Sequence, residues 1–219
     1  MAPILGYWKT RGLGEMCRLM LHYHGDKFED RQYVCGPAPT FDRSEWTSKK
    51  DTLGLALPNL PYYIDGKFSL TQSSAILEYL ADKHDMLPNS KERRAELRMV
   101  NNHIMDCRAS FIMTCYNPEY ETVVVSWKET LPDRLKSFES YLGDKRWLSG
   151  DNINFPDFNL CEFLNQLVLW DSKCLDAHPK LREYLTRFEN LPNIKPYMES
   201  AEFKNRPCNN KQAKWGAVA

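Results

Sequence analysis

The side chains with the widest chemical reach in this chain are few. Tyr7 closes a short apolar run, Ile4-Leu5-Gly6-Tyr7-Trp8, where a tyrosine reads as a half-buried aromatic that keeps one phenol hydrogen to donate. Arg11 and Leu13 follow in a loop, where Arg11 either aids an anion or is an exposed charge. The helix beginning near Gly14 would offer its N-terminal dipole and N–H groups to an anion beside it. Gln72-Ser73 precedes an apolar-periodic stretch, so Ser73 is expected to cap that helix, a position that also suits a carboxylate. Arg43 and Lys50 are either solvated charges or carboxylate partners. Trp46 lies between them in a polar segment and needs a reason to be there. Asn59 fits a turn. Asp106 and Tyr116 fall in a long helical pattern, where surface solvation and helix-end packing would account for them. The seven cysteines are scattered and form no C-x-x-C pair, so neither zinc nor a redox dithiol is expected and the thiols read as small reduced hydrophobes.

The elements that must position these residues change character along the chain. Ile4 to Trp8 and Phe28 to Tyr33 read as strands around a helix from Glu15 to His24, with Gly25 to stop it. Tyr62-Tyr63-Ile64 and Phe68-Ser69-Leu70 flank Asp65-Gly66-Lys67, a hairpin signal. Ala75, Ile76, Tyr79 and Leu80 then mark a helix. Together these predict an α/β layer on one small sheet. Beyond Leu87-Pro88 the pattern is helical. Val100, Ile104, Cys107, Phe111 and Cys115 form one stripe, and Leu131, Leu135, Phe138 and Leu142 another, with Pro132 a kink. Leu160 to Leu167 and Leu181 to Phe188 add two more. The expected organisation is a first domain over 1–88 and an all-helical domain over 89–219.

Composition excludes several function classes. Apolar residues make up 42% of 219 and charged residues 26%, ordinary for a globular chain. Lys plus Arg balances Asp plus Glu at 29 each, which leaves no electrostatic footprint for nucleic acid or an anionic membrane. No apolar run is long enough to span a bilayer, and the N-terminus has no basic lead or apolar core of a secretory signal. A cytoplasmic location is expected.

Five segments carry a resemblance: Gly6-Tyr7-Trp8, Pro37-Ala38-Pro39, Asp42-Arg43-Ser44-Glu45-Trp46, Pro58-Asn59-Leu60-Pro61-Tyr62 and Thr71-Gln72-Ser73. In that order they resemble the glutathione-binding half of mu-class glutathione transferases. The similarity continues through Met105-Asp106, Cys115-Tyr116-Asn117-Pro118 and Cys174-Leu175-Asp176-Ala177, so it covers nearly the whole chain. It implies a thioredoxin-like N-terminal domain (a small mixed sheet with helices), a helical C-terminal domain that shapes an electrophile pocket, and a cytosolic homodimer. The implied activity is conjugation of glutathione, a co-substrate rather than a cofactor, to hydrophobic electrophiles, with carriage of apolar ligands as a second property.

The same resemblance implies roles residue by residue. Tyr7 would donate to the glutathione sulfur and stabilise its thiolate, with Leu13 packed beside it. Leu60 before a cis-proline would pair with the cysteinyl backbone, with Asn59 alongside. Gln72 and Ser73 would hold the γ-glutamyl carboxylate, and Trp46, Lys50 and Arg43 the glycyl carboxylate. Asp106 would reach the γ-glutamyl ammonium of a neighbouring subunit. Tyr116 would assist oxygen-centred electrophiles in a pocket walled by Trp8, Leu13, Met105, Ile112 and Asn209.

Three positions depart from the pattern. Leu57 stands where a phenylalanine usually wedges into the partner, Asn154-Phe155-Pro156-Asp157 replaces a Ser/Thr capping box, and Cys208-Asn209 is expected to leave the pocket more open and polar. Two rival functions are weaker. A thiol oxidoreductase would need a ligand-facing cysteine, for which Cys17 is the one candidate, and a non-enzymatic relative would not need Tyr7.

Overall fold

Alternation along the first strand places Leu5 and Tyr7 on one side of the sheet and Ile4, Gly6 and Trp8 on the other. The strand is β1 (Ile4–Trp8), second in a four-stranded sheet of order β2-β1-β3-β4. β2 (Glu29–Tyr33) runs parallel to β1, while β3 (Tyr62–Asp65) and β4 (Phe68–Thr71) are antiparallel. The β1–β2 crossover is α1 (Glu15–His24), which buries Met16, Leu19 and Met20 completely and ends at Gly25 as expected. The β3–β4 turn is the Asp65-Gly66-Lys67 hairpin, and α3 (Ser73–Lys83) follows it. Between β2 and β3 the chain forms one short helix, α2 (Ser44–Thr47), and a turn at Lys50–Thr52.

The computed structural model describes residues 2–217 and falls into two compact units. One is Asp85–Leu191, close to the expected start of the helical domain. It contains α4 (Lys91–Cys115), α5 (Tyr120–Leu142), α6 (Phe155–Trp170) and α7 (Pro179–Glu189). All four apolar stripes read from the sequence are buried there. Pro132 lies inside α5, which continues through it. The Asn154 box holds: its side chain accepts from Phe155 N–H at 2.9 Å, and Asp157 accepts from Asn154 N–H at 2.8 Å.

The other unit is Met1–His84 with Pro192–Ala219. Its last segment carries α8 (Ile194–Glu199) and α9 (Ala201–Lys204). It groups with the sheet through buried charges. Glu15 on α1 accepts from Arg206 at 2.9 Å and from the Tyr197 hydroxyl at 2.5 Å, while Arg206 also meets Asp30 on β2 at 2.9 Å.

Candidate active site at the end of the sheet

The register brings three separated segments to one end of the sheet. Gly6 pairs with Tyr62, and Tyr62 pairs with Thr71. Continuing the antiparallel register one step past Gly6 sets Tyr7 opposite Pro61. At that end β1 finishes, β3 begins directly after the cis Leu60-Pro61 bond, and β4 hands over to Gln72 and Ser73. Tyr7, the cis-proline turn and the start of α3 therefore share one rim.

Tyr7 is caged there. The hydroxyl accepts from Leu13 N–H at 3.0 Å, which does not consume its own hydrogen. A Cβ on Gly12 would stand 2.5 Å from that hydroxyl, and one on Gly14 2.5 Å from the ring, so only glycine lets the loop close over the phenol. Arg18, fully buried on α1, lies 5.9 Å from the Tyr7 ring centre. It donates to the carbonyls of Thr10 (2.9 Å) and Trp8 (3.4 Å), just after Tyr7 in the chain. Arg18 also pairs with Glu15 at 3.1 Å and Asp30 at 3.0 Å. Burial pushes the Glu15 carboxyl up, but Arg18 and Arg206 more than offset this and hold it below the ordinary carboxylate range. The cluster was not visible in the sequence, since its members lie far apart along the chain. The one local signal was Arg18, which falls on the inward face of an apolar helix.

The start of α1 differs from expectation. Its first N–H groups are already satisfied, because Gly14 and Glu15 both donate to the Arg11 carbonyl at 3.1 and 2.9 Å. Arg11 is not at the surface. It is 3% exposed and lies 4.4 Å above the Phe203 ring, where the cation–π contact keeps it inside.

The helix start at α3 also shifts by one. Ser73 is the first helical residue and is buried, and the N-cap is Gln72, exposed and at φ 73° with no side-chain cap bond. A non-glycine residue in that region is held at a cost of about 1–3 kcal/mol, a type of strain that clusters at ligand sites. Cys17 buries its sulfur against the Ser73 carbonyl at 3.8 Å, so it does not face a ligand. Asn59 accepts from Leu60 N–H at 2.8 Å, closing the turn with the group expected to serve a ligand.

Trp46 finds its reason in packing. It is buried in a cluster with Tyr33, Leu55 and Tyr62, and stacks on Tyr62 at 5.9 Å. Arg43 is exposed at the N-cap of α2, and Lys50 is half-buried in the following turn. Trp8 is half-buried beside the same cluster. In the tail, Cys208 and Asn209 are buried, and Asn209 donates to the Trp215 carbonyl at 3.0 Å.

The remaining candidates belong to the helical unit. Met105, Ile112 and Tyr116 follow each other by seven and four residues on α4, one helical face, and all three are half-buried. Tyr116 is the C-cap of α4, and Asp106 is exposed in its middle. Among the described residues no group of His, Cys, Asp or Glu is placed to hold a metal ion, and no helix is long and apolar enough to cross a membrane.

Known proteins share this arrangement. Residues 3–82 match the family model of the glutathione S-transferase N-terminal domain, and 105–201 that of the C-terminal domain. The chain is 42% identical to glutathione S-transferase Mu 3 of Mus musculus over 216 residues, 99% of each chain. Identity to glutathione S-transferase Mu 1 of Homo sapiens is also 42%, again with 99% of each covered. Among solved structures, the crystal structure of the glutathione S-transferase Blo t 8 aligns with a TM-score of 0.88 at 32% identity, covering 97% of this chain and 99% of that one.

Proposed function

The chain belongs to the mu class of the glutathione S-transferase family, and from that premise we propose that Tyr7 activates the glutathione thiol for transfer to electrophilic, mostly hydrophobic small molecules. Glutathione conjugation is the activity of this enzyme, and no resident cofactor is needed because glutathione is consumed as co-substrate. The observation that carries the assignment is the Tyr7 hydroxyl, held by Leu13 N–H at the rim where the cis-proline turn and α3 begin.

A thiol of pKa ~8.5 is only a few per cent ionised at neutral pH. One hydrogen bond to the charged sulfur is worth about 1.5–3 kcal/mol, enough to lower that pKa by about one to two. The thiolate then forms the carbon–sulfur bond. Gln72 and Ser73 hold the γ-glutamyl carboxylate at the start of α3, where the helix dipole favours an anion. Leu60 pairs with the cysteinyl backbone once the ligand displaces the Asn59 oxygen. Trp46, Lys50 and Arg43 meet the glycyl carboxylate. Trp8 and Leu13 wall the electrophile on the side of the thiolate.

Tyr116 donates to an oxygen that gains charge during addition. Nitro-activated aromatic substitution spreads charge into the ring and needs little from one donor, whereas epoxide opening gathers it on one oxygen. Tyr116→Phe is therefore expected to slow epoxide conjugation about tenfold, the equivalent of ~1.4 kcal/mol, and to leave a halonitrobenzene nearly untouched. Equal losses on both would reduce Tyr116 to pocket wall.

The site is shared in a cytosolic homodimer, with Asp106 serving the neighbouring subunit. Leu57, 72% exposed in the single chain, supplies an apolar side chain for such an interface. Light scattering on the active enzyme is expected to give twice the chain mass. A fully active monomer would remove both the dimer and the shared site.

A further inference from the structure

A cleft of about 340 Å³ opens beside the loop that grips Tyr7. Val34, Cys35 and Pro207 form an apolar part of its lining, Lys9, Thr10 and Lys211 a polar part, and no carboxylate contributes. Its wall is tied to the catalytic loop by backbone bonds. The Pro207 carbonyl accepts from Arg11 N–H at 2.7 Å, and the Cys208 carbonyl from Gly12 N–H at 3.0 Å, one residue from the Leu13 N–H that holds the phenol. Lys9 follows Tyr7 by two residues. Neither Lys9 nor Lys211 forms an ion pair or side-chain hydrogen bond among the described residues. Both ammonium groups are exposed.

Such a cleft suits a substrate with an apolar body and an anionic group at its edge. Two ammonium groups without counter-ions raise the local concentration of anions. We propose that this cleft makes the enzyme selective for electrophiles that carry a carboxylate or similar anionic group, which Lys9 and Lys211 hold while the electrophilic carbon meets the thiolate. This deepens the glutathione-transfer reading and rests on it. In aromatic substitution the sulfur forms the new bond to carbon and chloride leaves with the old bonding pair. The anionic group takes no part in either bond.

The test compares a neutral chloronitrobenzene with its ring-carboxylated analogue, on the wild type and on the Lys9→Gln/Lys211→Gln double variant. The double variant is expected to lose about tenfold in kcat/KM for the carboxylated substrate, through KM, and to change less than twofold on the neutral one. The Lys9→Arg/Lys211→Arg variant should keep the wild-type preference. Added salt should weaken wild-type turnover of the carboxylated substrate alone. Unchanged kcat/KM for the carboxylated substrate in the glutamine variant overturns the proposal, as does an equal loss on both substrates. A wild type that conjugates neither compound removes the transferase reading as well.

Discussion

Tyr7→Phe is expected to lower conjugation at neutral pH by about ten- to a hundredfold while glutathione still binds. The magnitude follows from one hydrogen bond to a charged sulfur, about 1.5–3 kcal/mol. Phenylalanine keeps the ring that Gly12 and Gly14 close upon, so the cage survives. Leu13 N–H loses its acceptor, which costs stability of about 1–3 kcal/mol. The diagnostic reading is the pH–rate profile of kcat/KM. The mutant's profile should rise at higher pH than the wild type's, because the thiol ionises later, and the two should approach each other in alkaline solution. Halonitrobenzene and epoxide substrates should suffer alike, since both need the thiolate. Overlapping profiles would mean that some other group activates the sulfur.

Glu15→Gln is expected to destabilise the fold by about 3–5 kcal/mol, the cost of removing one partner from a buried charge cluster. Arg18 and Arg206 are 0% and 3% exposed at their side chains; Arg18 would be left with Asp30, itself 15% exposed, and Arg206 with Asp30 and the exposed Glu202. For a chain of this size each kcal/mol corresponds to roughly 2–4 °C in Tm, so a fall of about 10 °C is expected in a thermal scan. The pH dependence has a definite sign. The folded state holds the Glu15 carboxyl below its ordinary value of 4.5. Its contribution is therefore complete above that pH and is lost as the pH falls through the lower folded value. Denaturant midpoints measured at pH 7 and at acid pH should converge for wild type and mutant. Parallel curves would show that Glu15 contributes no charge-dependent stability.

Much of the sheet was legible because its signals are local. Two-residue alternation marks β1, Asp65-Gly66 marks the hairpin, and Gly25 ends α1. The helical half was legible for the same reason, as each of its stripes repeats within one helix and is buried as read. What escaped depends on partners far along the chain. Glu15 and Arg18 give no local sign of their partners Arg206 and Tyr197, which arrive from the tail. Arg11 reads either as an exposed charge or as an aid to an anion, and its contact with Phe203 is not legible from either. Asn209 gives no local sign of its partners, the carbonyls of Trp215 and Gly216. At the candidate site the residue types were readable, yet their hydrogen-bond partners were not. Ser73 has the chemistry of an N-cap, and the left-handed turn at Gln72 moves that position one residue back.

Thiolate absorbance of glutathione bound to the enzyme, followed through a pH titration, tests the central claim without any choice of electrophile. The wild type should show the bound thiol ionising about one to two pKa units below the free value of ~8.5, and Tyr7→Phe should return it close to that value. A wild-type complex that titrates like free glutathione, or a mutant whose curve overlays the wild type's, would contradict the assignment of Tyr7 as the activator.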